Sequence, residues 1–174
     1  MRRYVAFLRA INVGGNTVVK MADLKRVLEP LRLENVQTYI QSGNVIFESQ
    51  DEPASIENQI ERQLEKSLGF KIQVFVRTMR QVQSIAKNSP LTPEGDQTVH
   101  VVFLKRKPRR KQSQALDSLK SDADDFVMKG TEVYNLRRDR ESSVFSNNLI
   151  EKILTLPGTT RNMTVIRKIA EKYG

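Results

Sequence analysis

The sequence predicts an α+β protein built from two ferredoxin-like (α/β plait) units, the second atypical with an extra C-terminal helix. Three observations predict it. The first 77 residues order as β-α-β-β-α-β, the split-βαβ arrangement. From Val99 the order β-α-β-β-α recurs, and a helix follows where a fourth strand would fall. The 174 residues, 39% of them apolar, suffice for two small cores. The predicted boundary lies near Thr78, giving units 1–77 and 78–174. The halves share element order, with no evident repeat of sequence.

Tyr4 to Leu8 is an apolar run that reads as a strand covered on both faces. Met21, Leu24, Val27, Leu28 and Leu31 form one stripe of a helix that Pro30 ends or distorts. Residues 36–40 and 45–47 are β-rich runs, and the turn composition Gln41-Ser42-Gly43-Asn44 joins them as a hairpin. Pro53 suits the first turn of a second helix. Ile56, Ile60, Leu64 and Leu68 give it a buried stripe, and Gly69 suits its C-terminal cap. A strand over 72–76 completes the first unit.

In the second half a helix is predicted over 79–87, a strand over 99–104 and a helix over 112–119. A strand pair follows at 126–128 and 132–136, then a helix over 148–156. Thr160 is predicted to cap a last helix that buries Val165, Ile166, Ile169 and Ala170.

The composition excludes several chemistries. There is no cysteine, so disulfides, thiolate nucleophiles and cysteine-ligated metals are ruled out. One histidine, His100, rules out a two-histidine metal site within one chain. No metal and no cofactor is expected, although an all-oxygen Mg²⁺ or Ca²⁺ site stays open. No run approaches the roughly 18 apolar residues of a membrane span. Met-Arg-Arg-Tyr enters the first strand directly, without a signal-peptide core, so a cytoplasmic location is expected. Net charge is +9, unevenly placed: residues 1–77 carry 11 basic and 9 acidic side chains, residues 78–174 carry 18 and 11. The excess in the second half favours polyanions as partners.

Four stretches are candidate sites. The first is Arg9 through Asn12, Gly14, Gly15 and Asn16 to Lys20, between a strand and a helix. Glycine amides, a helix N-terminus and two cations could cradle an anion there. A helix terminus supplies about 0.3–1 kcal/mol, whereas a millimolar ligand needs about 4 kcal/mol, so the loop needs neighbours. It carries neither nucleotide-binding glycine spacing. The second is Gln41, Ser42, Gly43 and Asn44. In the predicted plait the first and third strands are antiparallel neighbours, so this hairpin should meet the end of the first strand at one sheet edge. The third, Thr159-Thr160-Arg161-Asn162, opens the predicted last helix; Arg161 and Asn162 are its ligand candidates, an arginine being poorly placed at a helix start. The fourth is Lys105, Arg106, Lys107, Arg109, Arg110 and Lys111, six charges in seven residues, suited to phosphate-backbone contact. For each stretch a purely structural role stays open: turn, cap or solvated loop. His100, inside an apolar strand, reads as a structural histidine.

These motifs occur in a recognisable order: Phe7-Leu8-Arg9-Ala10-Ile11-Asn12-Val13-Gly14-Gly15, Lys20-Met21, Thr38-Tyr39-Ile40-Gln41-Ser42-Gly43-Asn44-Val45, and Thr159-Thr160-Arg161-Asn162. Together they closely resemble the bacterial family named domain of unknown function 1697, over nearly the whole chain. The resemblance implies a pair of ferredoxin-like plaits and assigns no activity. The chain departs from the pattern at Ala10, usually glycine, at Met163, usually tryptophan, and before Ser146-Asn147-Asn148-Leu149, where a glycine-containing lead is usual. A methionine can fill a packing role left by the tryptophan.

Three functions stay open. The leading one is a non-catalytic binding protein for an anionic or phosphate-bearing ligand, nucleic acid among them. Against nucleic acid, the strands show no exposed aromatic run. The second is a small-molecule enzyme with a composite site of the Gly-Gly and Ser-Gly-Asn loops. The third is a homodimeric interaction module whose motifs are structural.

Overall fold

A computed structural model describes residues 1–9, 19–40 and 42–174. The chain is mixed α+β, with two four-stranded antiparallel sheets and six helices among the described residues. It divides into two compact units: Met1–Ser84 with Ile169–Gly174, and Ile85–Lys168.

The first unit runs β1 (Arg2–Leu8), α1 (Met21–Leu28), β2 (Glu34–Tyr39), β3 (Asn44–Ser49), α2 (Pro53–Leu68) and β4 (Val74–Thr78). The strand order is β2-β3-β1-β4. β1 is central, as its sequence predicts: every residue from Tyr4 to Leu8 is fully buried. Tyr4, Ala6 and Leu8 join Leu24 and Leu28 of α1 and Ile56, Ile60 and Leu64 of α2 in one core. α2 starts on Pro53 and ends at Gly69, whose φ of 80° makes it a left-handed cap that a side chain would strain.

The second unit runs β5 (Thr98–Leu104), α4 (Arg110–Asp117), β6 (Asp124–Lys129), β7 (Glu132–Arg137), α5 (Asn147–Leu154) and β8 (Gly158–Asn162). Its strand order, β6-β7-β5-β8, repeats that of the first unit. The expectation of a helix at 159–162 is corrected: these residues are β8, paired with β5 from His100↔Asn162 to Leu104↔Gly158. Sheet pairing supplies what an apolar pattern does not, since Gly-Thr-Thr-Arg-Asn carries no apolar side chain. Thr160 therefore does not cap a helix. Each unit's last strand leads into a further helix, α3 (Met79–Lys87) after β4 and α6 (Met163–Tyr173) after β8.

Strand register exposes a repeat that plain inspection misses. Val5-Ala6-Phe7-Leu8 in β1 matches Val101-Val102-Phe103-Leu104 in β5. Val5 faces Arg77 across β1–β4, and Val101 faces Arg161 across β5–β8. Arg77-Thr78-Met79 thus matches Arg161-Asn162-Met163. Met79 and Met163 are both buried, which fits a packing role for the latter.

The units also share a device at the last strand. In the first, Glu61 and Glu57 of α2 accept the backbone N–H groups of Val74 and Val76, each at 2.8 Å. In the second, Glu151 of α5 accepts the Gly158 N–H at 2.8 Å, and Asn147 accepts the Thr160 hydroxyl at 2.8 Å. Acceptors four apart on one helix face thereby satisfy polar groups of an edge strand.

Candidate functional site

The predicted meeting of the first strand with the β2–β3 hairpin is present. The Leu8 N–H donates to the Gly43 carbonyl at 2.8 Å, and Phe7 pairs with Asn44. The Arg9 N–H donates to the Gln73 carbonyl at 2.9 Å, so Arg9 stands where three strand ends converge. Gly43 has φ 76°, which explains the glycine. Asn44 is buried and turned inward: its Nδ2 donates to the Tyr39 carbonyl and to Ser42 Oγ, both at 2.9 Å. That amide braces the hairpin. Lys20 is exposed at the N-terminal cap position of α1, and its side chain makes no cap bond. Asn12, Gly14, Gly15, Asn16 and Gln41 lie outside the described residues.

The second unit repeats this place with different chemistry. The Leu104 N–H donates to the Thr131 carbonyl of the β6–β7 hairpin at 2.9 Å, as Leu8 does to Gly43. The segment after Leu104 is therefore the counterpart of the segment after Leu8. Two stretches singled out separately in the sequence occupy one topological position: a glycine-rich connection in the first unit, a cationic one in the second.

Lys105, Arg106, Lys107, Arg109, Arg110 and Lys111 are all exposed, while Pro108 between them is buried and anchors the segment. Arg106, Lys107, Arg109, Arg110 and Lys111 form no ion pair among the described residues. The last three flank the start of α4, whose first turn holds no acid. Positive side chains at the positive end of a helix are held against the macrodipole. The helix starts there because the Arg109 N–H donates to Gln112 Oε1 at 2.7 Å, while Gln112 Nε2 donates to the Leu154 carbonyl and ties α4 to α5.

Arg161 and Asn162 lie on β8, in the other unit from Arg9 and Ser42. Arg161 is buried; its Nη1 donates to Thr159 Oγ1 at 2.9 Å and to the Thr160 carbonyl at 2.8 Å. Burial pulls its pKa down to about 10. Asn162 accepts the Thr164 N–H at 2.8 Å and so caps α6, the role that the sequence assigns to Thr160.

One polar cluster escapes sequence reasoning. Asp124, fully buried, accepts from Asn135 Nδ2 at 3.0 Å, from Ser143 Oγ at 2.8 Å and from the Val144 N–H at 2.9 Å. It thereby fastens the segment before α5 to the sheet. Arg137 donates to Ser143 Oγ and to the Phe145 carbonyl, and the Phe145 ring packs on His100 at 5.3 Å between centroids. Its members come from β5, β6, β7 and the segment before α5, so no local spacing announces it. The only usable signal is the polar residues Asp124 and Asn135 inside strand runs.

Among the described residues no group of three or more His, Cys, Asp or Glu side chains could hold a metal ion. No helix there is long and apolar enough to cross a membrane.

Two α+β units with a cationic strand-to-helix connection define the chain's class by structure. By sequence, residues 1–134 match the family described as protein of unknown function (DUF1697), and the chain belongs to that family. Its fold is similar to the conserved bacterial protein SP0830 from Streptococcus pneumoniae, with a TM-score of 0.78 and 23% identity, over 98% of this chain and 97% of that one. No curated protein matches the sequence.

Proposed function

We propose that the protein binds an anionic, phosphate-bearing polymer without covalent chemistry, through Lys105–Lys111, on a fold of two ferredoxin-like units spanning 1–77 and 78–174. The strand orders β2-β3-β1-β4 and β6-β7-β5-β8 support the plait reading. One observation carries the binding reading: five exposed cations cluster without carboxylate partners among the described residues, three of them at a helix end that repels them. A bound polyanion relieves both repulsions. Absence of cysteine suits a reducing compartment, and a cytoplasmic location belongs to this reading.

Fluorescence titration with RNA and DNA across salt tests it. Four phosphate contacts on duplex DNA predict a log–log salt slope of about −3.6. Affinity weaker than about 100 μM at low salt rejects nucleic acid. A second reading, a small anionic ligand held by Arg9, Lys20 and the Ser42–Asn44 hairpin, draws support from the Leu8–Gly43 bond that brings two of those segments together. Titration with inorganic phosphate, read at the Gly43 and Arg9 amides by NMR, separates it from the first.

A further inference from the structure

We infer that Asp124, Asn135 and His100 form a relay that fixes His100 as the neutral Nδ1–H tautomer. The relay presents Nε2 to solvent as a positioned acceptor for a ligand's N–H or O–H group. This does not rest on the polyanion reading.

Among the described residues, His100 Nδ1 and Asn135 Oδ1 are the buried side-chain polar atoms with no hydrogen-bond partner. Buried orphans are rare and each calls for a cause. The two residues stand directly opposite each other in the β5–β7 ladder, so their side chains leave the same face of the sheet.

The amide cannot turn round. Asn135 Nδ2 donates to Asp124 Oδ1 at 3.0 Å and to the Asp125 carbonyl at 3.3 Å, both pure acceptors. A flipped amide would set its oxygen against them. Asn135 Oδ1 therefore faces away from Asp124, as an acceptor. The cross-strand pairing sets His100 opposite this acceptor, so a proton on Nδ1 would answer both orphans at once, whereas the other tautomer leaves two lone pairs unanswered. Asp124 is itself fixed by Ser143 Oγ and the Val144 N–H.

Nε2 is then the lone-pair nitrogen. His100 is half-buried, and Nε2 makes no hydrogen bond among the described residues yet is not one of the buried unpartnered atoms, so it reaches solvent. Desolvation, and then the Arg137 guanidinium, hold the imidazole neutral, down to about 4, against the opposing pull of Asn135 and Asp124. A nitrogen anchored on one side and open on the other is how imidazoles are oriented toward ligands. The first unit has no such feature at the matching register: Tyr4 and Phe47 stack there at 5.9 Å.

The chain's single histidine makes the test clean. Long-range ¹H–¹⁵N NMR of the full ¹⁵N-labelled chain at pH 7 should show one imidazole with Nδ1 protonated and Nε2 unprotonated. A soluble gadolinium chelate should broaden the Hε1 and Hδ2 signals that flank Nε2. Asn135→Leu should move the population toward the Nε2–H form. A wild-type Nε2–H tautomer, or ring protons untouched by the chelate, overturns the inference whether or not the variant folds.

Discussion

Arg77 and Arg161 hold one position in two sheets. Each lies in its sheet's last strand, each faces a valine of the central strand, and each is 6% exposed. Each also donates from Nη1 to the carbonyl of the preceding residue, Val76 at 2.9 Å and Thr160 at 2.8 Å. A buried guanidinium recurring at matched register is a shared constraint of both units. Arg161→Ala should lower stability by about 2–3 kcal/mol, the scale of losing hydrogen bonds to a buried charged group. Arg77→Ala should cost a similar amount. Urea unfolding midpoints measure both; a neutral result at either site would break the equivalence.

Gly158 and Val74 are also counterparts, facing Leu104 and Leu8, yet one is the smallest residue and the other branched. A Cβ on Gly158 would lie 2.8 Å from Val102 Cγ1 and 3.1 Å from Leu104 Cδ2, both fully buried side chains. Gly158→Ala should therefore destabilise the chain by about 1–3 kcal/mol through overpacking. Adding Val102→Ala should restore part of the loss at Gly158, a coupling that a double-mutant cycle reads directly.

The cationic start of α4 sets stability against binding. Arg109→Glu and Arg110→Glu each place an acid where the macrodipole favours it, worth about 0.3–1 kcal/mol. The paired substitution should raise the melting temperature while weakening RNA and DNA binding and flattening its salt dependence. Equal binding in the variant would remove Lys105–Lys111 from the proposed function.

Acid should weaken the fold through His100. Its folded pKa of about 4 lies below the unfolded value near 6.5. Between those values the unfolded chain binds more protons, so this contribution is fully present above pH 6.5 and is lost as pH falls toward 4. Allowing for partial exposure, the loss is about 1–2 kcal/mol. His100→Gln should flatten this part of the stability–pH curve in urea titrations at pH 4–7.

The sequence made the regular elements readable where side chains alternate or recur with helical period. Tyr4–Leu8 announced a strand buried on both faces, and Ile56, Ile60 and Leu64 announced the inward stripe of α2. The Arg9–Gly43 meeting followed from topology alone. β8 stayed hidden because its pairing with β5, and not its own side chains, makes it a strand. The repeat stayed hidden because matching residues are few and appear only after strands are aligned by register. The Asp124–Asn135–His100 relay assembles residues from three strands, a distance that no spacing rule spans.

The carboxylates at β4 and β8 have a consequence for self-association. Backbone N–H groups bare at a sheet's rim template the addition of a foreign strand. Here Glu57, Glu61 and Glu151 occupy such groups from a helix of the same unit. Those rim groups are thus closed to a foreign strand, and resistance to fibre growth there depends on these three glutamates remaining acceptors.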